Sequence, residues 1–126
     1  MIAAKRYGEV RNTTAVSKEQ LLALLFEAAL ASIRQGRAAL EEERPVDAGK
    51  PLLKASNIVH QLLSTLNPEV APELCKNLSR TYLFVWQRLI QASVKRDAVA
   101  AREAEQAFTP VADGFLQVLR GERAGT

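Results

Sequence analysis

Apolar residues recur at alternating steps of three and four along most of the chain. The clearest case is the stretch Lys54 to Asn67, KASNIVHQLLSTLN, with the leucine that shortly precedes it. Its apolar positions are Leu52, Ala55, Val59, Leu62 and Leu66. This spacing places all five on one side of a helix. The pattern therefore predicts an amphipathic helix that packs through this side.

A first helix is predicted over about residues 18–43. Ser17 and Gln20 form the Ser-x-x-Gln pattern of a capping box at its start. Its inward positions are Leu22, Leu25, Ala29, Ile33, Gly36 and Leu40, and a second apolar stripe comprises Leu21, Leu24, Ala28 and Ala31. Two neighbouring stripes make an apolar arc that one partner helix cannot cover.

The first helix should end before Pro45, because a proline disfavours helical geometry at the preceding residue. Asp47 is then the expected cap of a second helix over about residues 48–66.

Two further helices are expected over about residues 72–96 and 98–120. Asp97 can cap the last one, Pro110 should bend it, and Gly121 should stop it. The inward positions of the third helix are Cys75, Leu78, Tyr82, Val85, Leu89 and Ala92, and those of the fourth are Ala101, Ala104, Phe108, Val111, Phe115 and Val118.

Four helices of similar length with short connections predict an all-α fold, an antiparallel up-down-up-down four-helix bundle. Residues 1–16 lack a sustained period, and we expect them to form an N-terminal arm. The prediction is thus a single helical-bundle domain over residues 1–126.

Composition excludes several classes of function. The chain has 126 residues and a net charge of +3, and its basic residues form no long run of the kind that binds nucleic acid. The first residues contain no apolar segment typical of a signal peptide, and no apolar run is long enough to span a bilayer. A single cysteine is compatible with a reducing compartment, so we expect a cytoplasmic protein without membrane insertion.

No catalytic or metal-binding pattern emerges. The only histidine, His60, has Asn57 three residues before it, where a Glu-x-x-His metal motif needs a glutamate. Cys75 lies on an apolar stripe, as expected of a buried structural thiol. We therefore expect no enzyme activity, no metal and no cofactor.

Phosphotransfer on His60 is the enzymatic alternative. Histidine phosphotransfer domains are four-helix bundles of this size, and VHQLLST resembles their A-H-x-L-K-G-S pattern in outline. However, Leu63 replaces the usual lysine, and Ser64 replaces the glycine. His60 is more simply explained as a boundary residue of the helix.

Binding of another protein is the remaining class. Tyr82, Phe84 and Trp86 provide three aromatic residues within five positions. Tyr82 belongs to the inward stripe, whereas Trp86 lies on a second stripe together with Leu83 and Ile90. Trp86 could therefore anchor a partner, as aromatic residues often do, or be covered by the N-terminal arm.

Three segments resemble flagellar secretion chaperones of the FliS type. LLALLFEAAL (21–30) is similar to the family pattern L-L-x-x-L-Y-D-G-A-L, and KASNIVHQLLSTLN is similar to K-A-x-x-I-I-x-E-L-x-x-x-L-N/D. TYLFVWQRLIQAS (81–93) resembles L-Y-x-Y-x-x-x-R-L-x-x-A. The chain departs from the family at Phe26, where tyrosine is frequent, and at Phe115, where tryptophan is frequent.

The resemblance implies a non-catalytic export chaperone. Such proteins bind the disordered C-terminal segment of flagellin, prevent its premature polymerisation and present it to the export gate of the flagellar type III apparatus. Carried over by position, the expected partner-binding residues are Tyr7, Asn57, Ile58, Gln61, Leu62, Tyr82, Leu83, Trp86 and Arg88. The departures leave open a helical adaptor for another secreted protein.

Overall fold

The structure, a computed structural model, describes residues 16–121, and these form four helices. The helices are α1 (Lys18–Glu41), α2 (Pro45–Ser64), α3 (Pro72–Lys95) and α4 (Ala98–Leu119). The described part of the chain contains no strand. The expected arm, including Tyr7, lies outside the described residues except for its last residue.

The four helices pack in a closed ring that follows their order in the chain. α1 packs against α2 and α4, and α3 packs against the same two helices. Because the connections are short, consecutive helices run in opposite directions. The predicted all-α, up-down-up-down bundle is therefore confirmed.

Local caps fix the starts of α1 and α4 where the sequence predicted them. At α1, the Ser17 hydroxyl accepts a bond of 3.0 Å from the Gln20 amide, and the Gln20 side chain accepts one of 2.9 Å from the Ser17 amide. At α4, one carboxylate oxygen of Asp97 accepts bonds from the amides of Val99 and Ala100 at 3.0 and 3.1 Å. These bonds satisfy amides that the helix itself leaves unpaired.

α2 begins three residues earlier than expected. Pro45 takes the first helical position, where its missing N–H is no loss, and Arg44 occupies the cap position without a side-chain bond. The prediction that Asp47 caps this helix was wrong. Asp47 lies in the first turn, and its carboxylate accepts a bond of 3.0 Å from Arg44. The pKa of Arg44 is raised by its hydrogen bonds to Glu42 and to Asp47.

Left-handed residues end three of the helices. Glu43 (φ 59°) and Arg96 (φ 51°) adopt this conformation after α1 and α3, and Gly121 (φ 71°) adopts it after α4. Gly121 was expected to stop α4, whereas neither of the other two is a glycine. Pro110, which was expected to bend α4, is exposed, and the helix continues past it to Leu119.

The predicted stripe of α2 forms the centre of the core. Leu52, Ala55, Val59 and Leu62 are at most 1% exposed, and Leu66 is half-buried. Each large apolar side chain buried in this way contributes about 1.5–3 kcal/mol before chain entropy is subtracted.

The inward side of α1 differs from the prediction in its first half. Leu22 and Leu25 are only half-buried, whereas Phe26 is 1% exposed. The ring of Phe26 stacks on that of Phe115, with centroids 5.4 Å apart and planes inclined by 6°, and it also contacts Phe108. The two aromatic departures from the FliS pattern are therefore partners in one stack.

An ion-pair seam, formed by Arg34, Arg37, Glu41, Arg102 and Glu105, joins α1 to α4. The Glu105 carboxylate accepts bonds from Arg34 (3.3 Å) and Arg37 (2.6 Å), and Glu41 accepts from Arg37 (2.8 Å) and Arg102 (2.5 Å). The pKa of Glu41 is lowered by hydrogen bonds from Arg102 and Arg37, and that of Arg37 is raised by its bonds to Glu41 and Glu105. The seam thus links two antiparallel helices by ion pairs at the bundle surface.

Among the described helices, none combines the length and the apolar character that a membrane crossing requires.

Candidate partner-binding site

Two surface grooves run along opposite sides of α2. The α2–α3 groove, of about 200 Å³, is lined by Val59, His60, Leu63, Tyr82, Leu83 and Trp86. The α1–α2 groove, of about 610 Å³, is lined by Gln35, Lys50, Pro51, Leu53, Lys54, Asn57, Ile58 and Gln61. The same helix therefore contributes to both surfaces.

The α2–α3 groove is almost entirely apolar. Val59 and Tyr82 are buried beneath it, while Leu83 is 51% and Trp86 39% exposed along its edge. These two edge residues are three positions apart on α3 and lie on the same side of the helix. The groove thus offers an aromatic and an aliphatic contact to an apolar ligand.

The exposed apolar surface continues along α3 beyond this groove. Leu83, Trp86, Ile90 and Val94 recur at helical spacing, and all four are exposed. We call them the α3 apolar stripe; it extends for about 16 Å along the helix axis. Contiguous apolar surface of this kind marks an interaction site more often than scattered single residues do.

Tyr82 belongs to the core rather than to the exposed edge. It is 2% exposed, and burial raises the pKa of its hydroxyl to about 12. Its ring therefore shapes the floor of the α2–α3 groove and does not provide an ionisable group near neutral pH.

The α1–α2 groove has a different chemical character. Its floor is formed by the nearly buried Ile58 and the half-buried Pro51. Its remaining lining consists of the exposed residues Gln35, Lys50, Leu53, Lys54, Asn57 and Gln61. This groove suits an amphipathic ligand with polar groups beside an apolar ridge.

The residues expected to form one binding surface are divided among several places. Tyr82, Leu83 and Trp86 meet in the α2–α3 groove, whereas Asn57, Ile58 and Gln61 line the α1–α2 groove. Leu62 is fully buried in the core, Arg88 lies on the side of α3 that faces α4, and Tyr7 is outside the described residues.

Arg88 was expected to be one of the partner-binding residues. In the structure it is half-buried, and its guanidinium lies 3.4 Å from the Glu103 carboxylate of α4. Leu62 packs beneath the surface because it belongs to the inward stripe of α2. These two side chains support the bundle on which the grooves are built.

Sequence reasoning missed the part that His60 and Leu63 play in the α2–α3 groove. His60 was interpreted as a boundary residue of the helix, and in the structure it is exposed and lines the groove with Leu83 and Trp86. Its spacing of three from Leu63 could have indicated a shared side of α2.

The lining of the α2–α3 groove also bears on phosphotransfer at His60. Among the six lining residues, none besides His60 is basic, so the groove offers no lysine or arginine to stabilise a phosphoryl group.

The described residues include no group of three His, Cys, Asp or Glu side chains placed to hold a metal ion. Cys75 is buried, as expected of a structural thiol.

Comparison with known proteins agrees with this architecture. A family model described as flagellar protein FliS matches residues 1–122. The flagellar secretion chaperone FliS of Salmonella typhimurium is 34% identical over 118 residues, covering 90% of this chain and 87% of that protein. FliS of Bacillus subtilis is 31% identical, covering 82% of this chain and 77% of that protein. The chaperone FliSB of Pseudomonas aeruginosa is 30% identical, covering 91% and 94%. The chain therefore belongs to the FliS family of flagellar secretion chaperones.

Proposed function

We propose that this protein acts in the cytoplasm as the export chaperone of flagellin. It binds the disordered C-terminal segment of flagellin, prevents premature polymerisation and delivers its cargo to the flagellar type III export apparatus. It acts by binding and not by catalysis. The observation that carries the proposal is the α3 apolar stripe beside the α2–α3 groove.

The physical demands of such a partner match the surface. A disordered segment that folds on binding loses about 2–5 kcal/mol or more of the gross interaction energy to ordering. It therefore needs a large buried area, which an amphipathic helix obtains by laying its apolar side into a groove. Two grooves that share α2 would allow one chain to contact the bundle at more than one place.

Binding at the same surface would also keep the partner from polymerising. Apolar residues that mediate polymerisation are removed from solvent when they lie against Leu83, Trp86 and their neighbours. Exposed apolar residues also carry an aggregation risk for the free chaperone. Their retention on the surface is expected if binding requires them.

The direct test mixes the purified protein with the C-terminal segment of flagellin from the source organism. We expect a stable complex on size-exclusion chromatography and a gain of helical circular dichroism above the sum of the separate components. Failure of every flagellin of that organism to bind at concentrations on the order of tens of micromolar would contradict the proposal. A segment from the middle of the same flagellin serves as the control.

A further inference from the structure

Lys50 and Lys54 lie one helical turn apart on α2, and both line the α1–α2 groove. Both are exposed, and neither forms an ion pair with a carboxylate among residues 16–121. Like charges at this spacing repel each other by a few tenths of a kcal/mol. The pair is therefore slightly destabilising, and no carboxylate among the described residues offsets the repulsion by an ion pair.

The surroundings of the two lysines contain no carboxylate within the groove. The other lining residues are amides and apolar side chains. Asp47, the acidic residue nearest to Lys50 in sequence, is engaged by Arg44. A ligand in the α1–α2 groove would therefore meet two ammonium groups whose charge is not neutralised by a neighbour in the lining.

We propose that the α1–α2 groove binds an acidic amphipathic helix of the partner, with two carboxylates one turn apart facing Lys50 and Lys54. An apolar side chain of that helix lies on Ile58, and the amides of Asn57 and Gln61 bond its polar groups. The inference rests on the proposed function, because it describes a second contact of the same exported partner.

The spacing of the two lysines sets the direction of this helix. Residues four apart on α2 are separated by about 6 Å along its axis, which equals the spacing of two acidic residues four apart on another helix. Both carboxylates can face both lysines only if the bound helix runs nearly along α2. The α2–α3 groove then provides apolar contact, and the α1–α2 groove provides selectivity for charge.

A charge-reversal experiment tests this inference with a matched control. Lys50→Glu/Lys54→Glu is compared with Lys18→Glu/Lys95→Glu, which changes two exposed lysines on α1 and α3 that line neither groove. Both double variants change the net charge equally. We expect the first to weaken binding of the C-terminal flagellin segment by about tenfold or more, and the second by about twofold or less.

Equal weakening in both double variants would mean that only net charge matters and would overturn the inference, as would unchanged affinity in the first. Circular dichroism of both free variants verifies folding. The milder Lys50→Gln/Lys54→Gln variant should bind more weakly than the wild type, and its affinity should depend less on salt.

A second probe separates this inference from the proposed function. Three synthetic amphipathic helices of one sequence carry a Glu, Gln or Lys pair at positions four apart. The wild type should prefer the Glu peptide, and Lys50→Glu/Lys54→Glu should prefer the Lys peptide. This preference can hold even if no flagellin segment binds, in which case only the proposed function fails. Absence of any preference among the three peptides overturns the inference.

Discussion

Gly36 of α1 lies directly against the side chain of Leu52 of α2. A methyl group at position 36 would come within about 2.6 Å of the Leu52 Cγ atom, inside van der Waals contact. Both residues are buried, and the backbone of α2 also passes close to this point. The glycine thus sets how closely the two helices that border the α1–α2 groove approach each other.

Gly36→Ala should therefore destabilise the protein although alanine favours helices. Overpacking of a filled core costs about 1–3 kcal/mol, and the gain in helix propensity offsets about 1 kcal/mol of it. We expect a net loss of up to about 2 kcal/mol in the free energy of unfolding, measured by urea denaturation.

Gly114→Ala on α4 is the matched control for Gly36→Ala. A methyl group there meets no atom within 4 Å, so this substitution should stabilise the protein by about 0.5–1 kcal/mol. Two substitutions of the same type should thus have opposite signs. The same sign for both would show that close packing against Leu52 does not exclude a side chain at position 36.

The contact also predicts coupling between the two positions. Leu52→Ala alone should cost about 2–5 kcal/mol, because it leaves a cavity in the core. In the presence of Leu52→Ala, the added methyl of Gly36→Ala has room. The double variant should therefore be more stable than the sum of the single effects predicts, by at least about 0.5 kcal/mol. Additive effects would contradict direct contact.

Arg96→Gly should stabilise the turn between α3 and α4. Arg96 adopts a left-handed conformation, which costs an L-residue about 1–2 kcal/mol and costs glycine almost nothing. Because glycine also gains entropy in the unfolded chain, the expected net gain is about 0.5–1 kcal/mol. Gly121→Ala, which places a side chain at φ 71°, is the reverse control and should destabilise. A loss on Arg96→Gly would contradict this assignment.

The buried hydroxyl of Tyr82 predicts that the protein loses stability at alkaline pH. Its pKa is raised from 10.0 to about 12 by burial, so the folded state holds its proton more tightly than the unfolded state. The contribution of the protonated hydroxyl to the free energy of unfolding is fully present below pH 10 and declines as pH rises toward 12. Over this range, the free energy of unfolding of the wild type should fall more steeply than that of Tyr82→Phe. Parallel curves for the two proteins would contradict burial of the hydroxyl.

The ion-paired carboxylate of Glu41 predicts a loss of stability at acidic pH. Its pKa is lowered from 4.5 by hydrogen bonds from Arg102 and Arg37, so the unfolded state binds the proton more readily. The stabilisation is present above pH 4.5 and is lost as pH falls through the lower folded value. Glu41→Gln should therefore show a shallower acid dependence than the wild type below pH 4.5, as followed by thermal unfolding. An equally steep acid dependence in Glu41→Gln and in the wild type would contradict stabilisation of the carboxylate by these bonds.

Local features of the fold were predictable because they depend on neighbours in the chain. The capping box at Ser17, the cap at Asp97 and the stripe of α2 follow from short sequence patterns. The early start of α2 at Pro45 was missed because Asp47 offered an equally plausible cap. The burial of Phe26 was missed because the apolar arc of α1 is wide, and periodicity alone does not select its centre.

The candidate site was only partly predictable for a different reason. Asn57, Gln61, Leu83 and Trp86 were expected on one surface, and the exposure of each agrees with helical spacing. Which side of α2 faces α1 and which faces α3 depends on how the bundle closes, and spacing within one helix does not encode this. The division into two grooves therefore required the tertiary structure.

Trp86 and Phe84 allow a test of the proposal that the α2–α3 groove and the α3 apolar stripe bind flagellin. They are two residues apart on α3, 39% and 45% exposed, but only Trp86 lines the groove. The measurement is the dissociation constant of the C-terminal flagellin segment for Trp86→Ala and Phe84→Ala, by titration calorimetry. We predict that Trp86→Ala weakens binding by about tenfold or more and Phe84→Ala by about twofold or less. Equal effects, or a larger effect at Phe84, would show that flagellin does not bind in the α2–α3 groove.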